Sequence, residues 1–334
     1  MKHPALRATG PRRDRSAGVA LLLLLPPLLA VGTGEGGLAA TVGDPVALRW
    51  GLEPGRVLHY VMVQESSHVW TPDGGRAARV ERRQHVDFRW IVDKVDGSIA
   101  DMTLIVDRIR IRIGGEGSPT EFEFDTASDP ARKEGPFAAR LAALLRGLVG
   151  AKIDFRMDAR GEILDVKIPE PARSLIHQAG QTAAAAAISE EGVRNLIVQA
   201  HPLLPEGPVE PGATWTRQAT AAMPMFGALV LDKTYTYRGP QADRPARHEV
   251  VVDTRITLRP APEAPMEAKI LKQSASGRFS FDADLGVVAS YHLEDDLTMA
   301  FSAQGQRIEQ AIASRIDVTL VPPADASHPP SSPR

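Results

Sequence analysis

A mainly β fold with some helix, built as one large curved antiparallel sheet or half-barrel with amphipathic helices over one face, follows from three features of this 334-residue chain. Long stretches alternate apolar and polar residues, turn residues punctuate them, and the middle of the chain switches to helical spacing. Alternation with a period of two sends successive side chains to opposite faces of a strand, so each stretch buries one face and wets the other.

The first segment reads as a targeting signal. Arg7, Arg12, Arg13 and Arg15 precede an apolar block at 17–31 that is broken by Pro26 and Pro27. A block so short does not span a bilayer comfortably, so residues 1–40 read as a signal peptide and short linker, with cleavage between about residues 32 and 41. The expectation is an exported protein, periplasmic or extracellular, with no stable transmembrane segment after cleavage. Arg12-Arg13 also suits a twin-arginine signal, but Asp14-Arg15-Ser16 lacks the apolar pair that would follow, and the export route stays open. Removing residues 1–40 takes five basic side chains (Lys2, Arg7, Arg12, Arg13, Arg15) and two acidic ones (Asp14, Glu35), moving the net charge from -2 to -5. That balance disfavours nucleic acid as a partner. The absence of cysteine excludes disulfides, thiolate zinc sites, cysteine nucleophiles and lipid attachment through an N-terminal cysteine.

A β-rich domain at 41–321 follows. Strands are expected at 57–64, 80–92, 98–113 and 121–125, with turns at Pro72-Asp73-Gly74-Gly75, Asp96-Gly97 and Gly114-Gly115. Asp96-Gly97 is a hairpin signal, both residues being suited to positive φ. A helical insert is expected at 135–201. Within it Phe137, Leu141, Leu144, Leu145 and Leu148 share one face of a helix at 136–149, opposite Arg140 and Arg146. A second helical region at 172–200 restarts at Ser189, an N-cap followed by Glu190 and Glu191, and Pro202 stops it. Strands resume at Trp215 and at 229–237, 249–258, 268–281, 287–298 and 308–321, before a Pro- and Ser-rich tail at 322–334 expected to be disordered. Glu53-Pro54-Gly55 recurs as Glu210-Pro211-Gly212, and Phe122-Glu123-Phe124-Asp125 as Phe279-Ser280-Phe281-Asp282, each 157 residues on. A duplication would divide the domain into related halves, 46–134 and 203–321.

One hairpin is specified by its charges. Pairing Arg112 with Glu121, Arg110 with Glu123 and Arg108 with Asp125 sets each arginine against a carboxylate and gathers Ile109, Ile111, Phe122 and Phe124 on the other face. The arginine stripe then reads as a self-neutralised solvent face; its functional alternative is an anion or lipid-headgroup site.

No catalytic signature emerges. Gly-x-Ser-x-Gly and Walker patterns are missing. His59, His68 and His85 lack metal-ligand spacing, and His248-Glu249 is an isolated pair. Asp282-Ala283-Asp284-Leu285-Gly286 starts like a calcium loop but lacks the later ligands, so it reads as a hairpin turn, and Glu294-Asp295-Asp296 reads as a solvated edge. Trp50, Trp70, Trp90 and Trp215 could stack on sugars but are too dispersed, and read as core or rim packing. Sequence alone therefore assigns no catalytic, cofactor-binding or metal residue and no cofactor.

Leu48-x-Trp50-x-Leu52-x-Pro54-Gly55 leading to Tyr60, Leu204-Pro205-x-x-Pro208-Val209-x-Pro211-Gly212-x-x-Trp215, and Gly277-x-Phe279-x-Phe281-Asp282 closing with Gly286 and Ser290 resemble a family of exported bacterial proteins of unknown function. That resemblance implies no catalytic residues. The β-rich pattern with its helical insert is also similar to the half-barrels of periplasmic lipoprotein carriers, a fold-level likeness. The expected role is a non-enzymatic exported binding or envelope-associated protein, whose partner would be a lipid, another apolar ligand or another envelope protein. The alternatives are a periplasmic carrier of an apolar or lipid ligand, and a hydrolase whose carboxylates converge only in three dimensions.

Overall fold

In a computed structural model, residues 44–115, 121–128, 135–171, 173–174, 202–223, 226–303 and 305–322 are described. The expected signal, most of the second helical region and nearly all of the tail lie outside the described residues.

The strands are β1 (Val57–Pro72), β2 (Ala78–Asp96), β3 (Ile99–Gly114), β4 (Phe122–Asp125), β5 (Lys152–Asp158), β6 (Ile163–Lys167), β7 (Thr214–Met223), β8 (Gly227–Gln241), β9 (Arg244–Pro260), β10 (Glu267–Asp282), β11 (Val287–Ala303) and β12 (Gln306–Val321), with helix α1 at Gly135–Leu148. They form one 12-stranded antiparallel sheet that does not close, in the order β6-β5-β3-β2-β1-β12-β11-β10-β9-β8-β7, with β4 beside one end of β3. Two meanders are thus joined where β1 pairs with β12. The mainly β class read from the sequence is what the chain adopts.

Three local readings are corrected. The expected helical insert contains β5 and β6 as well as α1, because Ile153, Phe155 and Met157 alternate with Lys152, Asp154 and Arg156 and extend the sheet beside β3. The β2–β3 turn is centred on Gly97-Ser98, since Asp96 pairs with Ile99. Gly97, the first of those central positions, has the positive φ that a tight primed turn needs there, at 61°. In the charged hairpin Arg112 lies opposite Glu123 and Arg110 opposite Asp125, two residues from the expected register. A two-residue slip preserves the faces, so the apolar side survives; the expected Arg108–Asp125 ion pair also forms, at 2.6 Å, while Arg110 pairs with Asp87 instead of Glu123.

Backbone bonds stitch one end of the sheet together. Trp50 N–H donates to Ala159 O at 2.9 Å, Gly51 N–H to Gly286 O at 2.7 Å, Leu204 N–H to Arg160 O at 2.8 Å, and Val46 pairs with Val209. The β10–β11 hairpin, read from the sequence as a turn, therefore docks on the segment preceding β1. Within it the Asp282 carboxylate accepts from Leu285 N–H at 3.1 Å and from Arg247 at 3.4 Å. Gly286 sits at φ +62°, and an added Cβ would meet Gly51 N at 2.6 Å. Replacing Gly286 with Ala should cost about 1–3 kcal/mol, measured by denaturant titration; an unchanged midpoint would mean that this rim opens freely.

One face of the sheet is apolar. A large cluster runs from Val166 through Phe155, Trp90 and Tyr60 to Leu293, Phe279, Tyr235 and Leu231. A second joins Trp70, Val80, Ile109, Ile111, Ile113, Phe122 and Phe124 to Ala138, Leu141, Ala142 and Leu145 of α1. α1 thus covers the β2–β3–β4 end of this face. The tryptophans pack as expected: Trp50, Trp70 and Trp90 are buried, and Trp215 stacks on Tyr235 with its Nε1–H donating to Leu203 O at 2.6 Å.

Candidate functional site

Strand alternation sorts the middle of the sheet into two rows that lie back to back. On the charged face, Glu123, Arg112, Arg83, Glu65, Arg315 and Glu294 are successive cross-strand partners from β4 to β11. On the apolar face at the same level run Ile113, Arg82, Ser66, Ser314, Asp295 and Ala275. Farther along that face, Thr254, Lys233 and Arg217 are partners on β9, β8 and β7. Because Ser276 pairs with Asp253, this second stretch continues the first.

The apolar-face row is polar, buried and poorly satisfied. Asp295 is 4% exposed, Lys233 and Thr254 1%, and Ser66, Ser314 and Arg82 no more than 8%. Among the described residues, both carboxylate oxygens of Asp295, the hydroxyls of Ser66, Ser314 and Thr254, and Arg82 Nε have no hydrogen-bond partner. Gln64, His68 and Gln310, one or two rows away on the same face, also have unpartnered buried atoms. Such groups cost about 1–3 kcal/mol each, and more when charged. Native interiors tolerate few of them, and those present are commonly met by ordered water or a ligand. Above the row lie Leu293, Ile316 and Tyr291, and below it Leu297, Ile312 and Met299. The site is a polar belt between two apolar surfaces.

Burial governs the charges in this belt. It pushes the Asp295 carboxyl up to about 8, helped by the neighbouring Asp296 charge. It pulls Lys233 down to about 7, with Arg217 adding repulsion. Arg82 falls to about 10 through burial alone, and His68 to about 4 through burial and then the Arg82 charge. Low dielectric disfavours every isolated ion, so at neutral pH Asp295 largely keeps its proton and His68 is neutral.

The charged face behaves differently. Its row shares the lining of a groove of about 1400 Å³ with Ser66, Arg82, Asp295 and Ser314. Its arginines are mostly spoken for: Arg83 pairs with Glu65 at 3.2 Å, Arg315 with Asp317 at 2.9 Å, and Arg108 with Asp125 at 2.6 Å. Arg110 turns to Asp87 at 3.2 Å. This supports a self-neutralised solvent face over an anion site. A double-mutant cycle should give Arg110 and Asp87 a coupling of about 0.5–1 kcal/mol, and Arg110 and Glu123 almost none. Coupling to Glu123 would restore the register expected from sequence.

Sequence reasoning missed the polar belt, and one reading of it was wrong. Glu294-Asp295-Asp296 is not a solvated edge: β11 is an interior strand, Glu294 and Asp296 face solvent, and Asp295 between them is buried. Of the histidines, His68 lies beside the belt, while His248 Nδ1 bonds the Tyr237 hydroxyl at 2.7 Å. Among the described residues no group of His, Asp and Glu is arranged to hold a metal ion.

No family model and no curated protein matches the chain. Solved structures with partial likeness include lipovitellin, described for its lipid–protein interactions, at a TM-score of 0.49 and 15% identity over 85% of this chain. They also include an outer-membrane channel of Pseudomonas putida F1, at a TM-score of 0.22 and 8% identity over 84% of this chain and 100% of that one. The chain spans only 26% of the lipovitellin chain. Neither likeness bears on what this chain binds.

Proposed function

We propose that this is an exported, non-enzymatic binding protein that holds an amphipathic, lipid-like molecule on the apolar face of its sheet. The ligand's polar group would rest on the belt formed by Arg82, Ser66, Ser314 and Asp295, and its apolar remainder would follow the strands. One observation carries this reading: a continuous row of buried polar groups with unpartnered atoms crosses a face whose other residues are mostly apolar. An amphipathic guest supplies both the missing hydrogen bonds and the apolar contact. Hydrolysis by paired carboxylates fits less well, because Asp295 is the one acid in this row.

The test has two parts. Protein purified from an envelope or culture fraction should begin between about residues 33 and 41 by mass spectrometry, as export with cleavage requires. Its organic extract should contain a stoichiometric amphipathic compound, and the stripped protein should bind a fluorescent fatty-acyl probe saturably. Failure of both extraction and probe binding would overturn the proposal, leaving ordered water to satisfy the belt.

A further inference from the structure

Arg82 and Asp295 stand on opposite sides of the paired serines, so that the apolar face presents a buried cation, two hydroxyls and a buried acid in sequence across β2, β1, β12 and β11. Three strand spacings separate the two charged residues, about 14 Å between their backbones. Among the described residues neither has an ion-pair partner, while Arg82 Nε and both Asp295 oxygens lack hydrogen bonds. On the charged face, by contrast, Arg83, Arg110 and Arg315 have carboxylate partners. These three arginines are thus paired where water would have hydrated them, while a buried cation and a buried acid stand apart where it would not. Burying separated charges is expensive unless something bridges them.

We propose that the ligand's polar end is zwitterionic, its anionic oxyacid group seated at Arg82 and its ammonium group at Asp295, with Ser66 and Ser314 bonding to the atoms between. The proposal rests on the reading of the apolar face as a ligand site and assigns that site's headgroup chemistry. A simple fatty acid would satisfy Arg82 and leave Asp295 unmet; an alkylamine would do the reverse. A head carrying both charges, such as phosphoethanolamine, meets both residues. Its ammonium would also favour the ionised form of Asp295, which burial alone disfavours.

Calorimetric titrations of the stripped protein with probes of equal tail length would test this: lauroyl lysophosphatidylethanolamine, dodecyl phosphate, dodecylamine and dodecanol, each below its micelle threshold. The zwitterion should bind at least about tenfold more tightly than either singly charged probe. Arg82→Gln should erase its advantage over dodecylamine, and Asp295→Asn its advantage over dodecyl phosphate. The comparison within the wild type holds even if a variant fails to fold. Equal affinity for all four heads, or a preference for either singly charged one, would overturn the headgroup assignment while leaving the lipid-like reading intact. Free phosphoethanolamine should bind far more weakly than its lauroyl form. If it bound as tightly, the headgroup assignment would stand and the lipid-like reading would fall; if no probe bound at all, the headgroup assignment would fall, and the lipid-like reading with it if the organic extract also held no amphipathic compound.

Discussion

Asp295→Asn should stabilise the stripped protein, by an amount that grows as pH rises from about 4 to 8 and then levels off. The folded chain holds the Asp295 proton up to about pH 8 because burial and Asp296 oppose ionisation. In the unfolded chain an aspartate releases it near 3.9. Between these values the native state binds more protons than the unfolded state, so the wild type loses stability as pH rises, fully so once pH passes the folded value. Asparagine keeps the shape and removes the ionisation. The gain should be near zero at pH 4 and on the order of 3–5 kcal/mol at pH 9. Lys233 and His68 impose pH dependences of their own, with the opposite sign because burial lowers their values. These are common to both chains and cancel in the difference between them. Urea titrations of the two proteins at pH 5 and pH 9 would measure it. A difference independent of pH would show that Asp295 is hydrated or already paired. Loading with a zwitterionic lipid should reverse the sign, since the wild-type carboxylate would then gain a cation that asparagine cannot bind.

The fold was legible where local pattern and tertiary demand coincide. Alternation in β1, β2, β3 and β8 to β12 is long enough to name both strand and buried face, and a period of two makes the face insensitive to a slip of two residues. That is why Ile111 and Phe124 ended on the apolar side although the β3–β4 register was wrong. β5 and β6 were missed for the converse reason: seven and five residues beside a strongly helical stretch carry little periodic signal, and their strand character comes from the edge of β3 that they complete.

The candidate site was not legible, and the cause is topological. Arg82, Ser66, Ser314 and Asp295 come from four strands, and their alignment depends on β12 returning beside β1 from the far end of the chain. Each taken singly is ordinary. Asp295 was misread because acids on both sides make Glu294-Asp295-Asp296 look like a wet surface, when alternation in an interior strand must turn the middle residue to the other face. One local signal was available. In β1, Gln64, Ser66 and His68 occupy the same parity as Leu58, Tyr60 and Trp70, which places three polar residues in succession on a face otherwise apolar.

Leu145→Ala should cost about 2–5 kcal/mol, because it removes a buried side chain from the contact between α1 and the sheet and leaves a cavity that its neighbours cannot fill. Leu145 belongs to the cluster that contains Leu141, Ala138 and Ala142 on the helix and Ile111, Ile113, Phe122 and Phe124 on the strands. The helix is fixed at its C-terminal end by more than this. Arg146, in the last turn, sets its guanidinium 5.0 Å from the centre of the Phe124 ring and complements the helix dipole. Gly150 at φ 75° then turns the chain towards β5. In a chain of this size the Leu145 truncation should lower the melting temperature by roughly 5–15 °C, whereas Arg146→Ala, at a more exposed position, should cost about 0.5–1 kcal/mol. The comparison separates two roles for α1. As part of the packed core it makes Leu145 expensive and leaves probe affinity at the polar belt unchanged. As a cover over unfilled apolar space it would make the truncation mild and change the affinity for an acyl probe. A loss below about 1 kcal/mol accompanied by altered probe binding would show that the helix closes the ligand site instead of completing the core.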